Sequence, residues 1–538
     1  MNLESILRDL LDPRAHPPGT SPPVLVQTHA SAVVLAGDDV YKLKQPVDFG
    51  FLDYSTLARR KAMCEAEVAL NRRLAPGVYL GVVAITERAG RGVLGGEGEP
   101  IEYAVHMRRL PEAATLAALV RNGPVEHGVL ERIGRELARF HASARRGPDV
   151  ASWAAFDRVR ENCRDNFAGL APHAGALAPV EELLRLELET EAELDAQRSR
   201  IERRAREDVP CETHGDLRLE HVYLLDDGEL ALVDCIEFSP RYSCADPVSD
   251  VAFLAMDLRA HGAWSEARAL LDAYFDASGD QDGRALVPLY VAYRSAVRAK
   301  VRALQATAPG IPAVERERAF QLARAHVQLA VGELATPGER PCLVLVGGLP
   351  GTGKSVLSSG LAGAAGLTWL RADAIRKELA GLDPLASGRS EVRAGIYTPA
   401  WNDRTYGECL ERAKSLLYAG RRVLVDASFK EERRRLAFVD AARDWGVPAF
   451  FLECRSSPEL VRGRLEARVG DPSDADWGIY EHVRRTWEPL GPRTGVLHAA
   501  IDTSGTREQS LEQALVALGR AGLADHRGAA HAATGRRP

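Results

Sequence analysis

The stretch Cys342-Leu-Val-Leu-Val-Gly-Gly-Leu-Pro-Gly-Thr-Gly-Lys-Ser355 decides how the second half of the chain folds. An apolar run followed by a Gly-rich segment and Lys354-Ser355 is typical of a phosphate-binding loop between a strand and a helix. Backbone N–H groups and the positive end of the helix surround phosphate oxygens in such a loop. The residues expected at the nucleotide are Gly348, Gly351, Thr352, Gly353, Lys354 and Ser355, with the Ser355 hydroxyl on Mg²⁺.

Short apolar runs alternate with helical patterns around this loop. This alternation predicts a doubly wound parallel sheet with helices on both faces. The predicted strands are Cys342–Val346, Leu367–Leu370, Arg422–Val425, Ala449–Cys454 and Leu497–Ile501.

Further polar residues follow the predicted strands and helices of this half. Asp373 and Asp426 come at strand ends, where such sheets bind ligands, and we expect a proton-accepting base and a magnesium carboxylate, respectively. Arg376, one helical turn after Asp373, is expected to hold an anionic part of the acceptor. Arg464 and Arg468 lie on one helix face and could neutralise the phosphates. Each residue also fits a cap, a strand end or a surface arginine.

The first half begins with a predicted hairpin. The segments Ala32–Ala36 and Val40–Lys44 are interpreted as strands joined by a Gly-containing turn. Lys42 and Lys44 then share one face, because successive side chains of a strand alternate. One lysine is expected to contact the α and β phosphates of ATP, and the sequence leaves open which one.

A helix predicted over Leu57–Leu74 offers a carboxylate to hold that lysine. It carries Glu65 and Glu67, and we favour the pair of Glu67 with Lys42. By themselves these charges also fit a solvated face. The run Tyr103–Leu110 is interpreted as a connection between two lobes that holds the adenine edge, and helical patterns after it predict a helical second lobe.

The run Thr213–Phe238, THGDLRLEHVYLLDDGELALVDCIEF, carries the most informative pattern of the first half. It resembles the catalytic loop, hairpin and hydrophobic-Asp segment of the aminoglycoside phosphotransferase and choline kinase group, whose catalytic loop reads His-Gly-Asp-Leu-His-x-x-Asn. This resemblance implies an α+β bilobal protein-kinase-like domain. It also implies that Asp216 accepts or orients the acceptor hydroxyl proton and that Asp234 holds magnesium on the phosphates.

One departure from the family pattern concerns a metal ligand. His221 stands where the family has an asparagine that ligates a second metal ion, and imidazole suits magnesium poorly. Altered metal use, a weak kinase and a binding domain that has kept the fold all remain open. Downstream, Asp246 and Asp250 match acidic residues that brace the loop in the family, and they fit helix caps equally well.

The second half is similar to the small P-loop kinases that include polynucleotide 5′-kinase, chloramphenicol phosphotransferase and the zeta toxins. Asp373, Arg376, Arg464 and Arg468 stand at places that match that group's base and phosphate arginines. The segment Tyr397–Tyr406 lies where an acceptor could bind, or packs in the core. The whole chain resembles fused bacterial proteins with a phosphotransferase-like domain and an ATP-binding domain.

Length and composition limit the number of domains, the class of partner and the expected location of the protein. The 538 residues exceed one core, and we expect a kinase-like domain over 1–335, a P-loop domain over 342–524 and a disordered tail over 525–538. A net charge of −6 argues against broad nucleic-acid binding, although 5′-hydroxyl ends are not excluded. The eight scattered cysteines, the charged N-terminus and the lack of a long apolar window predict a cytoplasmic protein with no membrane segment.

These observations favour an enzyme with two ATP sites and Mg²⁺, each site transferring the γ-phosphate to a hydroxyl of a small acceptor. An alternative is a nucleotide-regulated binding protein, whose first domain senses a ligand and whose P-loop domain hydrolyses ATP. A ring-forming remodelling ATPase ranks below both, because no helical lid subdomain is evident. The acceptors and the oligomeric state stay open.

Overall fold

A computed structural model describes residues 2–17, 19–28, 30–50, 52–226, 228–382, 396, 398–467 and 476–525. The chain forms two compact units. The first comprises Met1–Glu161, Gln197–Asp257 and Glu266–Val287, and the second comprises Asn162–Ala196, Leu258–Ser265 and Pro288–Pro538. The domain limits 1–335 and 342–524 stay a prediction, and the predicted tail, from residue 526 on, lies outside the described residues.

The strands are β1 (Val24–Gln27), β2 (Ser31–Ala36), β3 (Asp39–Lys44), β4 (Tyr79–Arg88), β5 (Arg91–Leu94), β6 (Pro100–Arg108), β7 (Cys211–Glu212), β8 (Val222–Leu224), β9 (Leu230–Leu232), β10 (Cys244–Ala245), β11 (Leu343–Gly348), β12 (Thr368–Arg371), β13 (Val423–Asp426), β14 (Ala449–Arg455) and β15 (His498–Asp502). The helices are α1 (Leu3–Leu10), α2 (Leu57–Asn71), α3 (Leu116–Asn122), α4 (His127–Ser143), α5 (Pro148–Trp153), α6 (Phe156–Leu170), α7 (Val180–Arg206), α8 (Pro240–Ser243), α9 (Pro247–Ala260), α10 (Trp264–Ser278), α11 (Val287–Ala306), α12 (Ala313–Leu334), α13 (Lys354–Ala364), α14 (Ala372–Leu379), α15 (Pro399–Tyr418), α16 (Glu432–Asp444), α17 (Pro458–Glu466), α18 (Trp477–Arg485), α19 (Pro492–Gly495) and α20 (Arg507–Arg520).

The first unit contains a six-stranded antiparallel sheet in the order β1-β2-β3-β6-β4-β5. The predicted hairpin is β2–β3, and Gly37 adopts a positive φ of 61° in its turn, a conformation that favours glycine. Tyr41 and Leu43 of β3 pack into an apolar cluster with α1. Since side chains alternate along β3, Lys42 and Lys44 point to the opposite face of the sheet, where α2 lies.

The interpretation of Tyr103–Leu110 as a connection between lobes is wrong. Tyr103–Arg108 forms the last six residues of the nine-residue strand β6, which pairs with β3 on one edge and with β4 on the other. Because both edges of this strand are used in ladders, its backbone cannot hold the edge of an adenine ring.

The second unit contains a five-stranded parallel sheet in the order β12-β13-β11-β14-β15. Along β11, Leu343 and Leu345 belong to a cluster with residues of α14, α15 and α16. Val344 and Val346 belong to a second cluster with residues of α13 and α20. Helices therefore cover both faces, which confirms the predicted doubly wound α/β architecture.

Within the described ranges, no helix combines enough residues with enough apolar character to span a membrane.

Candidate active sites

Lys42 is the centre of the candidate site in the first unit. Its Nζ donates to Glu67 Oε1 at 2.8 Å and to Asp234 Oδ1 at 2.7 Å. Glu67, on α2, is fully buried, as expected of a carboxylate that fixes a lysine rather than one that meets solvent. The alternative carboxylate, Glu65, is exposed and lies 3.7 Å from Lys61. The structure thus brings together the pair of Lys42 and Glu67 favoured from the sequence.

Lys44 lies deeper than Lys42. Its Nζ donates to Glu67 Oε2 at 2.5 Å and to Glu237, which also accepts from the Tyr54 hydroxyl at 2.8 Å. The Lys44 side chain is 1% exposed, against 18% for Lys42. Although burial lowers the pKa of Lys44, the Glu67 and Glu237 carboxylates raise it above its usual value. Lys44 is therefore an enclosed cation that supports the site, and Lys42 faces the open side of the site.

Asp234 follows β9 in a strained conformation, with φ at 71°. Its backbone N–H donates to the Tyr79 hydroxyl at 3.1 Å, and the next N–H, of Cys235, donates to Asn71 Oδ1 at 2.9 Å. Burial raises the pKa of Asp234, but the Lys42 ammonium lowers it further, so the carboxyl is ionised. With 46% of its side chain exposed, this carboxylate fits one magnesium ion.

The loop before Asp216 is held by a buried carboxylate. Asp250 accepts from the backbone N–H groups of His214 at 2.9 Å and Gly215 at 3.0 Å. Although burial raises the pKa of Asp250, the hydrogen bond from His141 lowers it to about 2. The sequence left open whether Asp250 braces the loop or caps a helix, and these contacts show that it braces the loop.

Arg218 is a residue of this site that the sequence reading missed. Its Nε donates to Asp216 Oδ2 at 3.2 Å and its Nη1 to Glu220 Oε2 at 2.6 Å. The guanidinium therefore lies directly beside the predicted base. A signal was available, because the family pattern has a histidine two residues after the catalytic aspartate and this chain has an arginine there.

His221 stands between the two carboxylates of the site. Its Nδ1 lies 2.8 Å from the Asp216 carbonyl oxygen, and its Nε2 lies 3.1 Å from Arg218 Nη2 and 3.7 Å from Asp234 Oδ2. Burial lowers the pKa of His221, although Asp234 opposes this, and the ring is neutral at pH 7. Asp216, His221 and Asp234 thus meet at one place, as the family pattern implies.

The Gly-rich loop of the second unit joins β11 to α13. Gly351 and Gly353 have φ angles of 78° and 87°, a region in which a side chain is strained. Lys354 Nζ donates to the Leu349 carbonyl at 2.8 Å, and Thr352 Oγ1 donates to the same oxygen at 2.7 Å. These bonds tie the Gly-rich loop to Lys354 at the start of α13, and a phosphate contact of Lys354 stays a prediction.

Asp426 ends β13 beside this loop and is buried. Within the described residues its Oδ2 has no hydrogen-bond partner. Burial raises the pKa of Asp426 to about 6, although Lys354 and a hydrogen bond with Ser355 oppose the shift. A buried carboxylate oxygen without a protein donor, next to the Ser355 hydroxyl, fits a magnesium ion with its bound water.

Asp373 and Arg376 lie on α14, which follows β12. Asp373 is half-buried in the first turn, and its charge contributes to the raised pKa of Asp426, so the two carboxylates share one neighbourhood. Arg376 is buried, and its Nη1 donates to Asn402 Oδ1 at 2.6 Å and to the Ile396 carbonyl at 3.1 Å. Arg376 is thus held by the segment in which the sequence placed an acceptor.

Tyr406 belongs to that same segment and lies under a second arginine. The Arg434 guanidinium is 4.2 Å from the centre of the Tyr406 ring, and it also donates to Asp403 at 3.1 Å. The sequence reading missed Arg434, since nothing in its spacing relates α16 to α15. Tyr397, at the start of the segment, lies outside the described residues.

Arg464 on α17 lies close to the Gly-rich loop. Its Nη2 donates to the Thr503 carbonyl at 2.7 Å, and a methyl group at Gly353 would lie 3.9 Å from its Nη1. The guanidinium is therefore near the start of α13, where phosphate is expected. Arg468 lies outside the described residues.

Two family models match the chain in the order that the sequence predicts. The model described as the Phosphotransferase enzyme family matches residues 39–288, and the model described as an AAA domain matches residues 343–490. The first match contains Lys42, Asp216 and Asp234. The second contains the Gly-rich loop and Asp426.

Two mycobacterial proteins are similar over almost the whole chain. Uncharacterized protein Rv2004c of Mycobacterium tuberculosis and uncharacterized protein Mb2027c of Mycobacterium bovis are each 32% identical over 506 residues, which covers 93% of this chain and 96% of each relative. A solved choline/ethanolamine kinase family protein of Mesorhizobium loti is 16% identical and covers 58% of this chain and 92% of its own. Its TM-score of 0.36 is too low to weigh in an assignment of function.

Proposed function

The chain belongs to the family of these two mycobacterial proteins and is a kinase with a phosphotransferase-family region followed by an AAA-family P-loop region. From this premise we propose that it carries two separate ATP sites, and that each transfers the γ-phosphate to a hydroxyl group of a small-molecule acceptor. The observation that carries the proposal is Lys42 Nζ, bonded at once to Glu67 and to Asp234, which is 192 positions away. This lysine–glutamate pair, next to a carboxylate for magnesium, is the charge arrangement that phosphoryl transfer in kinases requires.

In the first site we assign one lysine to phosphate binding and the other to a structural role. Lys42 faces the open side and can exchange its bond to Asp234 for the α and β phosphates while Glu67 keeps hold of it. Lys44 is enclosed between two carboxylates, so we assign it the role of neutralising Glu67 and Glu237. Asp234 would hold magnesium, which when bound neutralises phosphate charge.

Asp216 is assigned as the group that takes the acceptor proton. Phosphoryl transfer needs a carboxylate near the nucleophile and another on the metal, and here Asp216 and Asp234 lie on either side of His221. The acceptor oxygen attacks the γ-phosphorus while the bond to the bridging oxygen of ADP breaks. The hydroxyl proton passes to Asp216 and then to water.

In the second site the loop backbone and Lys354 would bind the phosphates, and Ser355 and Asp426 would hold magnesium. Asp373 would accept the proton of a second hydroxyl, and Arg464 would approach the phosphates from α17. Arg376 and Arg434 flank Tyr406, which favours an acceptor with an anionic part.

The test is a screen for transfer of labelled γ-phosphate from ATP to sugars, aminoglycosides, nucleosides and 5′-hydroxyl oligonucleotides. The full-length chain is compared with Asp216→Asn and with Asp373→Asn, because each change is expected to silence one site only. Products that disappear with Asp216→Asn belong to the first site, and those that disappear with Asp373→Asn belong to the second.

The binding-protein alternative predicts a different result. In that case the first site yields no phosphorylated product from any acceptor, and Asp216→Asn changes nothing in the screen. ATP hydrolysis would then depend on Lys354 alone. This outcome would replace the two-site proposal.

A further inference from the structure

Arg218 occupies an unexpected place in the first site, and it is rigidly held there. It precedes the turn Leu219–His221, whose first N–H donates to the buried Asp257 carboxylate at 2.9 Å. The His221 N–H closes the turn on the Arg218 carbonyl at 3.0 Å. The Arg218 side chain is 16% exposed, so most of it is fixed while one edge stays accessible.

The contacts of His221 leave it no lone pair for a metal ion. A carbonyl oxygen only accepts, so the Nδ1 atom, 2.8 Å from the Asp216 carbonyl, carries the ring hydrogen. Nε2 must then be the acceptor, and it receives a hydrogen bond from Arg218 Nη2 at 3.1 Å. This nitrogen faces Asp234 Oδ2 at 3.7 Å, the place where a second magnesium ligand is expected. The residues present therefore do not fit a second magnesium ion.

Arg218 puts a fixed positive charge where that second ion would act. Its guanidinium contacts Asp216, Glu220 and His221 through three different nitrogens. Among the described residues, these contacts leave two of the five guanidinium N–H groups for another acceptor. Arginine is always protonated and matches phosphate oxygens with paired N–H groups.

We propose that the first site works with one magnesium ion, and that the Arg218 guanidinium takes the place of a second ion on the transferred phosphoryl group. This rests on the proposed function of the first site. As the acceptor oxygen bonds to the γ-phosphorus and the bond to the ADP oxygen breaks, Arg218 neutralises charge on the γ-phosphate oxygens. ADP leaves with the bonding electron pair, and the hydroxyl proton goes to Asp216.

The first experiment counts metal ions. The full-length chain with Lys354→Ala, which silences the second site, is titrated with Mn²⁺ and the non-hydrolysable analogue AMP-PNP, and bound Mn²⁺ is measured by electron paramagnetic resonance. We expect one Mn²⁺ per bound nucleotide. Two ions per nucleotide would overturn the inference alone. An absence of any nucleotide-dependent Mn²⁺ binding would overturn the proposed function of the site, and the inference with it.

The second experiment asks whether Arg218 acts on the transferring group or only on structure. ADP with aluminium fluoride mimics the transferred phosphoryl group, and its affinity is compared with that of ADP alone in Lys354→Ala and in Lys354→Ala with Arg218→Ala. Loss of Arg218 should weaken the aluminium fluoride complex by about 10³-fold and leave ADP nearly unchanged, and Arg218→Lys should recover part of the loss. Equal weakening of both complexes would show a structural role and overturn the inference.

A matched control is Arg73→Ala in the same background. Arg73 pairs with Glu212 at 3.0 Å and lies over the Phe140 ring, so it is an arginine of the same unit with an ion pair and a packing role. Its loss should leave the ratio of the two affinities unchanged. A change as large as that of Arg218→Ala would overturn the assignment to the phosphoryl group.

Discussion

The phosphate lysines of the two units are held in different ways. Lys42 Nζ is bonded to carboxylates 25 and 192 positions away, whereas Lys354 Nζ donates to a backbone carbonyl only five positions away. The first site thus exists only when distant segments have come together, and it depends on ionised side chains. The second is largely built by one loop and its backbone N–H groups.

This difference separates stability from function in the two units. Charged side chains from distant segments must be paired when they are buried together. Several of them therefore stabilise the fold and do not bind the ligand. A loop that binds through its backbone needs fewer such partners. Changes in the first site should therefore mix effects on folding with effects on binding or transfer, whereas changes in the second should affect binding or transfer with little effect on folding.

The largest effect is expected on nucleotide binding. Isothermal titration with AMP-PNP should give two nucleotides per wild-type chain, one for Lys354→Ala and one for Lys42→Ala, because each lysine neutralises the phosphates of its own site. The double variant should bind none. If Lys354→Ala alone removed all binding, the description of two independent sites would be wrong.

The next effect concerns the two predicted bases. Asp216→Asn and Asp373→Asn should each lower transfer at their own site by ~10²-fold or more, since the amide cannot take a proton. Nucleotide affinity should hardly change. The quantity to measure is acceptor turnover at saturating ATP. Because asparagine caps a helix about as well as aspartate, an unchanged rate in Asp373→Asn would show a cap.

Lys44→Met tests whether Lys44 stabilises the fold, in contrast to Lys42, which is assigned to phosphate binding. It leaves the buried Glu67 and Glu237 carboxylates without their shared cation, which should cost about 3–5 kcal/mol in the free energy of unfolding of the first unit. Hydrogen exchange of peptides from β3 and α2 reports this. The control is Lys61→Met, whose exposed pair with Glu65 should cost less than about 1 kcal/mol. Equal costs would argue against an enclosed role for Lys44.

Acid should loosen the loop that carries Asp216. The folded-state pKa of Asp250, about 2, lies below its usual 3.8, so its stabilising contribution is present above about pH 4 and is lost as the pH falls towards 2. The shift corresponds to about 2 kcal/mol. Urea unfolding of wild type and Asp250→Asn, followed from about pH 5 to about pH 2, should show the difference between them shrinking by this amount. A constant difference would contradict the assignment.

The smallest effect is expected from His221→Asn. The amide oxygen can accept from Arg218 as the imidazole does, so magnesium-dependent transfer at the first site should be kept or raised. The measurement is initial rate against magnesium concentration. A collapse of the rate would mean that the imidazole itself has a role that the amide cannot supply.

The sequence by itself determined the parallel sheet and the Gly-rich loop of the second unit. The loop from Gly348 to Ser355 and the strand ends at Asp373 and Asp426 were predicted, because a phosphate loop is encoded by adjacent residues and parallel strands end at a common edge. The hairpin with Lys42 and Lys44 was likewise predicted from alternation along a strand.

Only the tertiary structure decided which lysine faces the site and what surrounds Asp216. Exposure separates Lys42 from Lys44, and sequence spacing carries no information on exposure within one strand face. Arg218 and Arg434 are recognised as site residues only by their contacts with His221 and Tyr406 in the folded chain. Tyr103–Arg108 was misplaced because one strand cannot reveal that two others pair with both of its edges. Pairing, burial and charge neutralisation are properties of segments that meet only in the folded chain.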